Sequence, residues 1–71
     1  MPNKLVIRPL REKSGMTQRK LAADIGVSPG AVAQWELGTT QPTADNLVAL
    51  ADAFGVPMDA LFGRETEQTS A

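Results

Sequence analysis

The sequence predicts an all-α domain, a compact bundle of five short helices. Three observations carry that expectation. Apolar residues recur at helical spacing, most cleanly at Leu47, Leu50, Ala51 and Phe54, the i, i+3, i+4, i+7 pattern of one buried helix face. Thr17, Ser28 and Thr43 stand where side-chain oxygens cap helix starts. Gly15, Gly26, Gly38 and Gly55 stand where a left-handed residue ends a helix. With 71 residues, the chain is one small domain that buries a modest core.

Each element follows in order. Asn3 to Ile7 is apolar-rich and ends in β-branched residues, which suggests a short strand or an extended arm over residues 1–7. Pro9 suits a first helical turn, so helix one is expected from Pro9 to Ser14. Helix two is expected over Gln18–Ile25, with Leu21, Ala22 and Ile25 on one face. Helix three begins at Pro29, behind its Ser28 cap, and runs to Leu37 with Val32 and Trp35 inward. Thr43 caps helix four, and Asp45 complements its dipole. Val56-Pro57 opens a short fifth helix ending near Phe62, with Leu61 expected in the core. The domain is therefore expected over 8–63, and the polar stretch 64–71 has nothing to bury and reads as a flexible tail.

Composition narrows the function. There is no cysteine and no histidine. Disulfides and thiolate metal sites are excluded, and the usual general base and commonest metal ligand are missing. The sequence contains no paired-carboxylate or glycine-rich phosphate motif either, so we expect no enzyme, no metal and no cofactor. No apolar run approaches the ~20 residues that span a bilayer, and a cytoplasmic protein without membrane attachment is expected. The net charge is −1, but its distribution is uneven. Residues 1–20 carry six basic side chains against one acid, and residues 21–71 carry one against seven. That is either a molecule with one basic face or a solvated surface with an accidental gradient.

Thr17 to Gly38 reads as a helix-turn-helix. Three residues link helices two and three, which holds them at a steep angle. Ala22 is small enough for the close crossing, Gly26 tolerates the turn, and Ile25, Val27 and Val32 wedge the angle. TQRKLAADIGVSPGAVAQWELG, followed by TTQPTADNLVALADAFGVPMDALFG, resembles the family of phage repressors, Cro proteins and Xre-type bacterial regulators. The resemblance covers residues 8–63. Its marks are Thr17-Gln18, Leu21-Ala22, Gly26-Val27-Ser28, Trp35-Glu36, Gly38, Pro42 and the Leu47-to-Val56 block. It implies a lambda-repressor-like five-helix bundle that binds double-stranded DNA, usually as a homodimer on a palindromic operator.

Candidate contacts follow from helix three lying in the major groove. Its outward residues are Gly30, Ala31, Ala33, Gln34 and Leu37. Gln34 alone carries a side chain able to read a base by hydrogen bonding, adenine by preference; otherwise it is a solvated glutamine. Pro29 and Gly30 stand where the family often has polar readers, and can touch a thymine methyl. Ala31 and Ala33 complete the base-reading set. The resemblance implies phosphate contacts by Gln18 and by the loop Thr39, Thr40 and Gln41. Arg19 and Asn46 are further phosphate candidates, and Ser28 is a cap first and a phosphate ligand second. It also implies a structural pair of Arg11 and Glu36, covered by Trp35.

Met58 and Phe62 are candidates for a subunit interface, as in related dimers, and the edge of Lys4–Ile7 is the alternative. The function expected is sequence-specific DNA binding by a dimeric regulator, a repressor that acts by occluding its operator. The alternative is an antitoxin or co-regulator on the same fold, whose acidic helical surface binds a protein partner.

Overall fold

The computed structural model describes residues 5–63. Four α-helices and one 3-10 helix follow in order: α1 (Ile7–Lys13), α2 (Gln18–Ile25), α3 (Pro29–Leu37), α4 (Ala44–Phe54) and the 3-10 helix Met58–Phe62. The fifth helix expected from the sequence is thus a 3-10 turn. It is five residues long, and that length suits the tighter i to i+3 hydrogen bonding. Among the described residues there is no strand.

The caps explain the boundaries. The Thr17 hydroxyl accepts from the Lys20 amide, Ser28 from Ala31 and Thr43 from Asn46, each at the start of its helix. Gly26 and Gly38 end α2 and α3 with φ of 81° and 83°. A β-carbon at Gly26 would meet nothing within 4 Å, so the backbone angle, not crowding, calls for glycine there.

The first helix departs from expectation. It starts at Ile7 rather than Pro9, so Pro9 occupies its third position, still within the turn whose amides lack intrahelical acceptors. Ile7 is fully buried, and Leu5 also lies in the core. The Val6 amide donates to the Leu61 carbonyl at 2.8 Å. That bond joins the chain's beginning to its last helical turn. Residues 5–7 are therefore core and clamp, not a strand edge. The remainder of the expected arm, 1–4, and the expected tail, 64–71, lie outside the described residues.

One cluster forms the core: Leu5, Ile7, Leu21, Ala22, Val32, Trp35, Leu50, Ala51 and Leu61. Ile25, Leu47 and Phe54 pack against it, partly buried. The most extensive helix contact is between α2 and α3, where Ala22 is fully buried. Its single methyl lets the two backbones approach.

Burial of Ile7 has a measurable consequence. Ile7→Ala removes a side chain with no exposed surface and should cost about 2–4 kcal/mol. Urea unfolding would show a lower midpoint at an unchanged slope. A change below about 0.5 kcal/mol, as for a solvated arm, would contradict this placement.

Candidate nucleic-acid interface

The interface is built on one polar assembly. Arg11 of α1 approaches Glu36 of α3 along two lines. Its Nε donates to Oε2 at 2.6 Å, and its second terminal nitrogen donates to Oε1 at 3.3 Å. Its remaining nitrogen donates to the Met16 carbonyl at 2.9 Å, which fastens the turn between α1 and α2. The side chains keep only 12% and 6% of their surface exposed. The pair anticipated from the family resemblance is thus formed.

A third member was not anticipated. Gln18 Nε2 donates to Glu36 Oε1 at 2.9 Å. Gln18 opens α2, so this bond locks the start of α2 to the end of α3. The two residues are eighteen apart in sequence, and no local pattern reports such a contact. The amide still has a second N–H and its oxygen to offer a ligand.

Burial by itself would push the Glu36 carboxyl up. The hydrogen bonds from Arg11 and Gln18 and the charge of Arg11 outweigh it and hold the carboxyl below the ordinary carboxylate range. The hydrogen bond to Glu36 raises Arg11 in turn.

Beside this assembly the starts of α2 and α3 face one another. A shallow cleft there is lined by Arg11, Met16, Thr17, Gln18, Arg19 and Pro29. The first amides of α2 and its dipole favour an anion at that end. Arg19 is exposed. Lys20 is paired with Asp24 at 3.0 Å, and Arg8 with Glu12 at 3.0 Å. Both are surface i, i+4 pairs worth little, so either cation can turn toward a phosphate at small cost.

On α3, Pro29, Gly30, Gln34 and Leu37 are exposed and Ala33 is half-exposed. Ala31 is a correction. It is half-buried and packed against the core cluster, not outward. Steps of 100° per residue carry it to the flank beside Trp35, away from the Gly30–Leu37 stripe. Ser28 is exposed with its hydroxyl committed to the cap. Thr39, Thr40 and Gln41 are exposed in the loop that follows, and Asn46 is partly exposed at the first turn of α4. Met58 is exposed, while Phe62 is half-buried against the core. Lys4 lies outside the described residues.

The charge split takes spatial form. α1 and α2 carry Arg8, Arg11, Lys13, Arg19 and Lys20 against Glu12 and Asp24, whereas α4 and the 3-10 helix carry Asp45, Asp52 and Asp59 and no cation. No group of three or more His, Cys, Asp or Glu among the described residues is placed to hold a metal. Among the described residues, no helix is long and apolar enough to cross a membrane.

The Glu36 assembly should be visible in acid. A carboxyl depressed in the folded state contributes stability above its unfolded value, near 4.3, and loses it as pH falls through the folded value. Wild-type stability should therefore drop below about pH 4.5. Glu36→Gln, which strands Arg11, should cost about 2–4 kcal/mol at pH 7 and flatten that acid limb. Equal slopes in the two proteins would show that Glu36 does not supply the dependence.

Residues 7–61 match the helix-turn-helix family. The chain is 38% identical over 64 residues to repressor protein C2 of Salmonella phage P22, covering 90% of this chain and 30% of that protein. It is 41% identical over 63 residues to the HTH-type transcriptional regulator DicA of Escherichia coli, covering 87% of this chain and 47% of DicA. The chain thus spans less than half of these relatives' length. The fold agrees as well. The P22 c2 repressor bound to a synthetic operator superposes with a TM-score of 0.74 at 40% identity, over 78% of this chain and 83% of that one. The solution structure of the c2 DNA-binding domain gives 0.81 at 35% identity, over 96% and 93%. The chain belongs to the helix-turn-helix family, in the branch of phage repressors and Xre-type regulators.

Proposed function

We propose that the chain is the DNA-binding unit of a transcriptional repressor. The observation that carries this reading is the locked junction of α2 and α3. Glu36 fixes Gln18 and Arg11, so the cationic start of α2 and the exposed face of α3 are held in one orientation. The operator-bound relative of the same fold supports it. Phosphates would meet Gln18, the first amides of α2 and Arg19. The Thr39–Gln41 loop and Asn46 would add neutral contacts. Gln34 would read a base edge, preferably adenine. Ser28 keeps its capping role.

The working form would be a homodimer on a palindromic operator in the cytoplasm, with recognition helices ~34 Å apart. Met58, exposed beside half-exposed Phe62, is the surface we assign to the two-fold contact. Leu5 and Ile7 are spent on the subunit's own core, which disfavours the N-terminal segment as the alternative interface. Repression would follow from occlusion, the bound dimer excluding polymerase. The acidic side of α4 would then face away from DNA.

The test is site selection from random duplex DNA, followed by gel shifts across a salt series. With roughly 3–5 phosphates neutralised per subunit, the log–log slope for a dimer should be on the order of −5 to −9. Arg19→Ala should weaken binding on all sequences alike and flatten the slope by about one per subunit. Recovery of no preferred site, or binding indifferent to salt, would refute the proposal and favour the protein-binding alternative.

A further inference from the structure

Arg11 belongs to two neighbouring depressions at once. It lines the cleft at the start of α2, with Thr17, Gln18 and Arg19. It also lines a hollow on the α3 side, with Arg8, Gln18 and Glu36. Gln18 is common to both, whereas Glu36 lines the hollow and not the cleft. The carboxylate therefore stands one hydrogen bond away from two of the polar side chains that line the cleft.

The cations near the cleft are not held alike. Arg19 is exposed, and Lys20 and Arg8 are in surface pairs that solvent weakens. Arg11 gives its Nε and one terminal nitrogen to Glu36 and the other terminal nitrogen to the Met16 carbonyl. Three of its five N–H donors are thus engaged, and two remain. Tearing Arg11 away would leave a desolvated carboxylate without its counter-charge, which is strongly unfavourable. A phosphate in the cleft would therefore meet a guanidinium that still has its carboxylate. It would gain hydrogen bonds there but little net charge.

We propose that Glu36 sets the charge that this cleft shows to a phosphate: by keeping Arg11 paired, it withholds one positive charge per subunit from the DNA backbone. The inference rests on the DNA-binding reading above and gives Glu36 a role there beyond joining three helices. Glu36 is a positioning residue, acting through Arg11 without touching DNA. Binding driven by counterion release strengthens with every phosphate neutralised, on all sequences alike. A withheld charge thus lowers affinity for DNA in general, and a larger share of the binding energy is left to base contacts.

The experiment measures Kd by fluorescence anisotropy across a salt series, on a selected site and on an unrelated duplex of equal length. The proteins are wild type, Glu36→Gln, and the double variant Arg11→Gln, Glu36→Gln. Glu36→Gln keeps an acceptor for Gln18 and removes only the charge. Because it also destabilises the fold, the folded fraction is read in the same samples from the fluorescence of Trp35, a core residue, and Kd is corrected for it. Glu36→Gln should tighten binding to both duplexes about fivefold per subunit, the order of one unit charge acting across a few ångström of water. Its log–log salt slope should steepen by about 0.9 per subunit. The double variant removes both charges and should return affinity and slope to wild type. A merely structural Glu36 would leave the slope unchanged and the corrected affinity equal or weaker, and that result would overturn the proposal. So would a gain that persists in the double variant, since it would not act through Arg11. Either result leaves salt-dependent wild-type binding, and with it the DNA-binding reading, in place. Wild-type binding indifferent to salt would overturn both.

Discussion

One buried carboxylate organises the molecule. Glu36 sits at the far end of α3, yet it receives Arg11 from α1 and Gln18 from α2. Arg11 extends the assembly to the Met16 carbonyl in the turn between α1 and α2. Three helices that could slide over an apolar interface are thereby given one register. Apolar packing between α2 and α3 sets how close they come, through Ala22, but it is tolerant of small rotations. Directional hydrogen bonds to a desolvated charge are not. Such a pair is weak evidence of stability, because removing both partners can be nearly neutral. Its value here is orientation: it holds Gln18 and the exposed stripe of α3 in one relation, as the proposed contact with a groove of DNA would require.

The remaining structure serves that orientation. Leu5 and Ile7 close the core from the N-terminal side, and the Val6–Leu61 hydrogen bond ties that segment to the last helical turn. A domain this small has little apolar area to spare, so even its approach segment is enlisted. Charge is then distributed around the scaffold rather than through it. Arg11 and Glu36 are the one ion pair largely withdrawn from solvent among the described residues. The other cations of α1 and α2 lie on the surface, where a polyanion can compete for them. The carboxylates of α4 and the 3-10 helix would repel a polyanion from their own surface.

Local chemistry was legible in the sequence, and long-range chemistry was not. Thr17, Ser28 and Thr43 cap where their residue types say they should, because capping is settled within three residues. Gly26 and Gly38 end their helices for the same local reason. Pro9 misled because proline is accepted at any place in a first turn, so it marks the neighbourhood of a start and not its position. Ile7 looked like a strand end because β-branched residues favour strands, and burial overrode that preference. Alanine carries no signal of facing, so residue type alone leaves Ala31 free to point outward. Only the rotation set by Val32 and Trp35 decides it. The Arg11–Glu36 pair came from family resemblance, whereas the Gln18 bond to the same carboxylate had no such signal. The composition of the reading face, by contrast, was in plain view. Its sparseness is a property of residue types, and the structure adds that Leu37 stands fully outside the core.

That sparseness has a quantitative implication for assembly. A well-placed bidentate contact contributes ~1–3 kcal/mol of discrimination. On the proposed reading, Gln34 alone would supply roughly 1–3 kcal/mol per subunit. Specific sites are separated from bulk DNA by about 4–10 kcal/mol. One subunit would fall below the bottom of that range, whereas two on a palindrome would reach into it. Phosphate contacts cannot make up the difference, because they raise specific and non-specific affinity together. On the proposed reading, a face this spare would suit a regulator only if subunits paired, and the two-fold contact would be as much a part of sequence recognition as α3 itself.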